Sequence, residues 1–414
     1  MRVLIVTNDL PPQVGGIQHY VDQLARGLAA AGDDVTLYGS TPRAGTAEED
    51  WRTHDDAAPF DVVRERTSVL LPTPRVQRHV AELVRRIDAE VVVFGATVPL
   101  AFMGGAIRRR TGVPNVCWTH GLEVSAVRMP GSAPVLRRIG RNAGAITYVS
   151  HWCRDLLSPA FGPDVRSELL PPGIDPSEFH PGVSGDAVRR RHGLGDRPVV
   201  VCVSRLVERK GQDQLIRALP ELRRRVPGTA LLIVGGGPHR ESLERLATEL
   251  DVADDVVFTG IVDGAELPAH YAAGDVFAMP CRERRGGFEV EAFGIVFIQA
   301  LAVGVPVVAG NIGGVPDAVG PPEPGSVPPE PGSVPRSGGD HHHSAGQSGG
   351  LSGGLLVDGT DLAEVTDAVA MLLEDRELAR RLGEQGARRV AEGFTWGART
   401  EQLRALLADV IAQP

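Results

Sequence analysis

Residues 198–235, PVVVCVSRLVERKGQDQLIRALPELRRRVPGTALLIVG, hold one repeat of the pattern on which the whole chain is built. PVVVCVS and ALLIVG at its ends are short aliphatic, β-branched runs without charge, and the longer segment between them is amphipathic. That order predicts a buried strand, a helix and a second buried strand, the alternation of parallel sheets covered by helices on both faces. RVLIVT, DVTLYG, EVVVFG, NVCWTHG and AITYVS repeat the pattern upstream, and DVVFTG, DVFAMP and PVVAG repeat it downstream. A sheet of about five strands is ordinary and one of ten is not, so the runs predict two sheets. The turn-rich PPGIDPSEFHPG, Pro171–Gly182, marks the division. We expect a first domain over 1–172, a second over 173–395, and a C-terminal helix over 396–414 that packs back on the first, with a cleft between the domains.

At 414 residues the chain exceeds what one core ordinarily serves. Apolar residues at 42% and charged residues at 23% are globular values and exclude wholesale disorder, so the 50 glycines and 32 prolines need a local cause. They find one in PPEPGSV, written twice over 321–334, and in the Gly, Ser and His tract that follows. Such a segment buries too little to offset its ordering entropy, which predicts a disordered insert over 320–354. His341, His342 and His343 lie inside it without ordered partner ligands and read as solvated rather than metal-binding. The net charge of −9 argues against a general nucleic-acid binder. Cys117, Cys153, Cys202 and Cys281 form no CxxC pair and have no histidine at ligand spacing, which argues against disulfides and zinc and for a reducing, cytosolic compartment. The apolar run at the N-terminus is too short for a signal-peptide core. The uncharged run from Val91 to Ile107 is punctuated by Gly95, Pro99, Gly104 and Gly105, and reads as strand, loop and helix start rather than a membrane span.

Open parallel sheets bind ligands at the C-terminal edges of their strands, so the residues that follow strands carry the chemistry. After the first strand, Gly15 and Gly16 precede an amphipathic helix from about Ile17 to Ala31. Glycines there let backbone N–H groups approach an anion, although a plain tight turn explains the pair equally well. NVCW leads into THGLE and puts His120 at a sheet edge; a satisfied polar side chain is its ordinary reading. Arg205 and Lys210 follow a strand of the second half and suit a diphosphate, against the alternative of a solvated basic loop. Gly235–Gly237 lacks GxGxxG spacing and the acidic residue of a dinucleotide site. The most informative segment is GGFEVEAFGIVFIQALAVGVPVVAG, 286–310. Glu291 there precedes a buried helix whose free N–H groups can receive phosphate oxygens, while its carboxylate can accept hydrogen bonds from sugar hydroxyls.

On these residues, together with PPQVGGIQHY, PPGIDPSEF, LLIVGGGP and GVPVVAGNIGGVPDAV, the chain resembles the retaining glycosyltransferases known as glycosyltransferase family 4. Within that family MPGSAPVLRRIGRNAGAITYVS, RKGQDQLIRALP and EVEAFGIVF look most like actinobacterial mannosyltransferases that act on phosphatidylinositol mannosides. The resemblance implies the GT-B fold: two Rossmann-like domains whose parallel sheets face a deep cleft. It implies transfer of a hexose, foremost mannose from GDP-mannose, to a glycolipid acceptor with the anomeric configuration kept. The leaving phosphate would help deprotonate the acceptor, so no cofactor, metal or dedicated nucleophile is expected. Carried to matching positions, it implies that Gly16 approaches the donor phosphates, that Arg205 and Lys210 bind the diphosphate, and that Ile295 and Val296 meet phosphate through their backbone. It places His120 near the transferred sugar and Glu291 on that sugar's hydroxyls.

One position departs from the family, in which a second glutamate eight residues after the first accepts from the ribose; here it is Gln299. An amide has one acceptor oxygen where a carboxylate has two, so donor binding is expected to be weaker by about 1–2 kcal/mol in an enzyme that is still active. Basic stretches around Arg75, Arg78, Arg85 and Arg86, Arg108–Arg110, and Arg137, Arg138 and Arg141 read as ordinary helix decoration by themselves. The resemblance turns them toward peripheral contact with anionic lipid at the inner face of the plasma membrane. A transferase that uses a UDP-sugar and a soluble acceptor such as an inositol phosphate shares every motif, and a silent nucleotide-sugar binder is suggested by Gln299 and the insert.

Overall fold

A computed structural model describes residues 1–13, 15–41, 48–320 and 353–413. The insert expected over 320–354, with its three histidines, lies outside the described residues except for Gly320, Gly353 and Gly354. The chain divides into two units: Met1–Gly173 with Phe394–Pro414, and Ile174–Gly393.

The first unit runs β1 (Arg2–Thr7), α1 (Gly16–Ala30), β2 (Asp34–Ser40), α2 (Glu48–Ala57), β3 (Asp61–Glu65), α3 (Pro74–Arg86), β4 (Val91–Phe94), α4 (Gly104–Thr111), β5 (Asn115–Thr119), α5 (Leu122–Arg128), α6 (Ala133–Asn142), β6 (Ala145–Tyr148), α7 (His151–Phe161) and β7 (Ser167–Leu169). Its described strands form one parallel sheet of seven in the order β3-β2-β1-β4-β5-β6-β7. Val3–Val6 and Val91–Phe94 are fully buried, as strands covered on both faces must be. Helix α1 buries Tyr20, Val21, Leu24, Ala25 and Leu28, one stripe at helical spacing.

The second unit runs α8 (Asp186–Arg191), β8 (Val199–Val203), α9 (Gln212–Arg225), β9 (Ala230–Val234), α10 (Arg240–Glu249), β10 (Val256–Gly260), α11 (Leu267–Ala272), β11 (Val276–Met279), α12 (Ile295–Ala302), β12 (Val307–Gly310), α13 (Val315–Val319), β13 (Gly354–Val357), α14 (Leu362–Glu374) and α15 (Arg376–Gly393). Its described strands form a parallel sheet of six, β10-β9-β8-β11-β12-β13. Both sheets are doubly wound. Chain order reverses between β1 and β4 in one and between β8 and β11 in the other, so the loops leaving those strands diverge and open a crevice at the sheet edge.

The two sheets have seven and six strands rather than five each. The additional ones, β3, β7 and β13, all lie at sheet edges and are partly exposed; DVVRE and SEL also carry charge where the interior strands are apolar runs. After the second unit the chain returns to the first through α16 (Trp396–Ala412), which packs on α1. The approach is close: a Cβ added at Gly27 of α1 would stand 2.0 Å from the Thr400 hydroxyl, so only glycine fits. Arg404 of α16 pairs with the buried Asp33 at 2.8 Å. All four cysteines are free and buried. Among the described residues no helix is long and apolar enough to cross a membrane.

Candidate active site

In the second unit the crevice is lined by the loops that leave β8 and β11. After β8 the chain passes Ser204 and Arg205 and makes a short turn over Glu208–Lys210. It enters α9 through Gly211, whose φ of 78° is a left-handed conformation. A Cβ at Gly211 would lie 2.2 Å from the Pro280 carbonyl at the end of β11, so this glycine lets the two loops touch. Opposite, Glu291 precedes Gly294, which caps α12 at φ 84°. The first turn of a helix has N–H groups without intrahelical acceptors, and Ile295 and Val296 supply two of them at this edge.

The structure brings Lys210 and Glu291 together, with Nζ 2.6 Å from Oε2. A third residue, which the sequence did not point to, joins them: Arg209 Nη1 lies 2.6 Å from the same oxygen. Burial works to raise the Glu291 pKa, but the two cations overcome it and hold the carboxyl down at about 2. The Gly314 N–H braces the Glu291 carbonyl at 3.0 Å. Arg205 stands on the same loop as Lys210, exposed, with no side-chain partner among the described residues.

Further ion pairs fasten the two loops. Both Asp213 carboxylate oxygens accept from Arg282 at 2.9 Å, Arg284 meets Glu208 at 2.5 Å, and the Arg282 N–H donates to the Arg209 carbonyl at 2.9 Å. The signal was present in the opposed charge patterns of ERKGQD (208–213) and RERR (282–285), but only the fold tells which loops face each other. Gln299 sits in the second turn of α12, and its amide oxygen accepts from the buried Tyr271 hydroxyl at 2.9 Å. One lone pair of that oxygen is thereby taken, leaving the other and the NH2 for a further group, and Tyr271 is a second residue that the sequence did not reveal.

In the first unit, His120 stands at the end of β5 with Nε2 2.6 Å from the Gly95 carbonyl. A carbonyl only accepts, so Nε2 carries the proton and Nδ1 is an acceptor in the neutral ring. Burial lowers the His120 pKa to about 4, with the Gly95 contact working the other way, so the ring is neutral at pH 7. The Tyr20 ring meets it edge-on at 4.9 Å, and the Tyr20 hydroxyl donates to the Leu170 carbonyl at 2.8 Å. Glu123 fixes the backbone around it: Oε2 accepts from the His120 N–H at 3.1 Å and Oε1 from the Thr97 N–H at 3.2 Å. The Glu123 side chain is fully buried, and that burial raises its pKa against the N–H groups that favour the anion. Gly16 opens α1 with nothing within 4 Å of where a Cβ would stand, so its backbone is open to a ligand. It follows β1 while His120 follows β5, and Tyr20 of α1 bridges the two positions.

Among the described residues no group of three or more His, Cys, Asp or Glu side chains is arranged to hold a metal ion. The arrangement in the second unit can bind a diphosphate through cations and helix N–H groups beside an ionised carboxylate that accepts hydroxyl hydrogen bonds.

Two family models match the chain: Glycosyltransferase Family 4 over residues 14–178 and Glycosyl transferases group 1 over residues 185–334. The GDP-mannose-dependent alpha-(1-6)-phosphatidylinositol monomannoside mannosyltransferase of Mycolicibacterium smegmatis is 44% identical over 412 residues, which cover 98% of each chain. The GDP-mannose-dependent monoacylated alpha-(1-6)-phosphatidylinositol monomannoside mannosyltransferase of Corynebacterium glutamicum is 36% identical over 98% of this chain and 97% of its own. Among solved structures, sucrose-phosphate synthase from Thermosynechococcus elongatus superposes with a TM-score of 0.76 at 22% identity, over 99% of each chain. The Anabaena protein HepE in complex with UDP-glucose superposes with a TM-score of 0.74 at 18% identity, over 99% of this chain and 100% of its own. At those identities the likeness concerns the fold.

Proposed function

Because the chain belongs to the glycosyltransferases of family 4, we propose that it transfers mannose from GDP-mannose to a phosphatidylinositol mannoside, keeping the anomeric configuration. The observation that carries this reading is the Glu291 carboxylate, held ionised by Lys210 and Arg209 before the first turn of α12, in a chain similar along its whole length to enzymes of that activity. Arg205 and Lys210 meet the diphosphate, and the N–H groups of Ile295 and Val296 take its oxygens, stabilising the charge that grows as the bond from the anomeric carbon to phosphate breaks. Glu291 accepts from hydroxyls of the mannose and fixes its orientation. The acceptor oxygen forms the new bond to the anomeric carbon, and its proton passes to the departing phosphate. In the first unit, neutral His120 offers Nδ1 as a hydrogen-bond acceptor for a sugar hydroxyl, and the open backbone at Gly16 receives phosphate. Gln299, whose one acceptor oxygen is shared with Tyr271, has less to offer the ribose hydroxyls than a carboxylate and grips them weakly.

Peripheral membrane contact is part of the proposal, with a change in its chemistry. The apolar stripe of α3, Val76, Val80, Leu83 and Val84, faces the core, so Arg75, Arg78, Arg85 and Arg86 act on lipid headgroups by charge alone. Exposed Met129 and Val135, close in sequence to Arg137, Arg138 and Arg141, are among the exposed apolar groups of this unit, with Leu71 and Leu122, that can meet the bilayer.

Incubation of the protein with GDP-mannose and, separately, UDP-sugars, each with acceptor lipid or with an inositol phosphate, tests the reading. We expect GDP release and a mannosylated lipid only with GDP-mannose and lipid. Turnover of a UDP-sugar onto the soluble acceptor would replace the reading with that of a different transferase, and binding without any turnover would replace it with that of a silent binder. Flotation with phosphatidylinositol vesicles at low salt, lost as salt is raised, tests the membrane contact.

A further inference from the structure

One oxygen of Glu291 holds two cations, and the two are not held alike. Lys210 and Arg209 both lie 2.6 Å from Oε2, in surroundings where the lysine and glutamate side chains are 10% and 12% exposed and the arginine 28%. Arg209 is fixed at both ends. Its guanidinium is on Glu291, and its carbonyl accepts from the N–H of Arg282, whose own side chain is locked in two hydrogen bonds on Asp213. Lys210 has a compact ammonium on a flexible stem, which can turn to a new anion without losing its donors, whereas a guanidinium is a planar fork that holds one geometry. The charges also count. At Glu291 itself one carboxylate faces two cations, Arg209 and Lys210, so the cluster carries surplus positive charge, and exposed Arg205 on the same loop adds to it.

We propose that Arg209 is the positioning residue of this site: when a diphosphate arrives, Lys210 leaves Glu291 for it, and Arg209 alone keeps the carboxylate fixed on the sugar. The two adjacent cations thereby divide the work, one for the phosphates and one for the glutamate. The pairing of Arg205 and Lys210 with phosphate rests on the reading of this unit as the donor half; the role of Arg209 goes beyond it.

The test uses the full chain with Arg209→Met, Arg209→Lys and Lys210→Met, and calorimetry of GDP and of GDP-mannose without acceptor. Lys210→Met should weaken GDP binding by about tenfold or more, the loss of a charge-assisted contact. Arg209→Met should leave GDP within about threefold of the parent, remove the extra affinity that GDP-mannose has over GDP, and lower kcat/KM by about tenfold or more. The acid-side fall of kcat/KM should also move to higher pH in Arg209→Met, because one cation holds the carboxylate less firmly than two. Arg209→Lys should recover most of each effect, and thermal melting of Arg209→Met shows whether that variant is folded. An Arg209→Met variant that loses GDP affinity as severely as Lys210→Met would make Arg209 a phosphate ligand, and an unmoved acid limb would remove its hold on Glu291; either result overturns the proposal. If the parent binds GDP-mannose but transfers nothing to lipid, the reaction proposed above fails while the two nucleotide titrations still decide the role of Arg209.

Discussion

Replacing Glu291 with glutamine keeps the shape of the side chain and removes its charge, and the cost can be worked from the site. The carboxyl falls from an ordinary value of 4.5 to about 2 in the folded protein. At 1.36 kcal/mol per tenfold this difference stabilises the second unit by about 3 kcal/mol at pH 7. The side chain is only 12% exposed, so solvent screening reduces that figure little. The sign follows from the depressed value: the contribution is complete above pH 4.5, shrinks as the pH falls, and is gone below 2. At pH 3 about 1.4 kcal/mol should remain. The assay is urea unfolding of parent and Glu291→Gln at pH 7 and pH 3, followed by circular dichroism and by hydrogen exchange at β8 and α12. Trp51, Trp118, Trp152 and Trp396 all lie in the first unit, so tryptophan fluorescence reports that unit and should show no change. A difference below about 1 kcal/mol at pH 7, or one of equal size at both pH values, would refute the account of how Glu291 is held.

Gln299→Glu should tighten GDP by about tenfold, since a carboxylate can keep the Tyr271 hydroxyl on one oxygen and offer the other to the ribose; calorimetry that finds no gain would place position 299 away from the nucleotide. His120 should stay neutral from pH 8 down to pH 5, charging only near pH 4, so an NMR titration that finds its midpoint near 6.5 would contradict the burial described. His120→Ala should lower kcat/KM by about tenfold, the loss of one hydrogen bond to the sugar, while leaving GDP affinity unchanged, measured by steady-state kinetics beside calorimetry. Ending the chain after Gly393 removes buried Trp396, Leu403, Leu406, Leu407 and Val410. At roughly 1.5–3 kcal/mol each, that loss matches the stability of an ordinary domain, so the three tryptophans left should show no cooperative transition. The second unit should still unfold cooperatively by hydrogen exchange.

Interior strands were legible in the sequence because burial on both faces demands an uninterrupted apolar run, as in VLIV of β1 or VVVCV of β8. The edge strands β3 and β7 were not, because both are short and carry charge and read as loop, whereas the edge strand β10 still shows an apolar run. Lys210 was legible as a cation in the loop after a strand and Glu291 as an acid ahead of a buried helix. Arg209 was not, since nothing in its own neighbourhood says that the loop after β11 will face it. Glu123 was quoted within THGLE without being distinguished: a carboxylate that is fully buried and held by backbone N–H groups looks in sequence like any first-turn acid of a helix. Gln299 shows the converse. Residue type suggested a weakened ribose contact, and the structure adds the reason, a tyrosine 28 residues earlier that already shares the amide oxygen.

The return of α16 to the first unit sets the order in which a ribosome can deliver finished parts. The second unit is one unbroken segment, Ile174–Gly393, and has all its own residues as soon as that segment has emerged. The first unit begins the chain but waits for about 220 residues of the second to be translated before its last helix exists, roughly 10–40 s at ordinary elongation rates. Throughout that interval the face of α1 around Gly27 is uncovered in the nascent chain. The half of the protein made first is therefore the half completed last, and it is the one exposed to chaperones and proteases during synthesis.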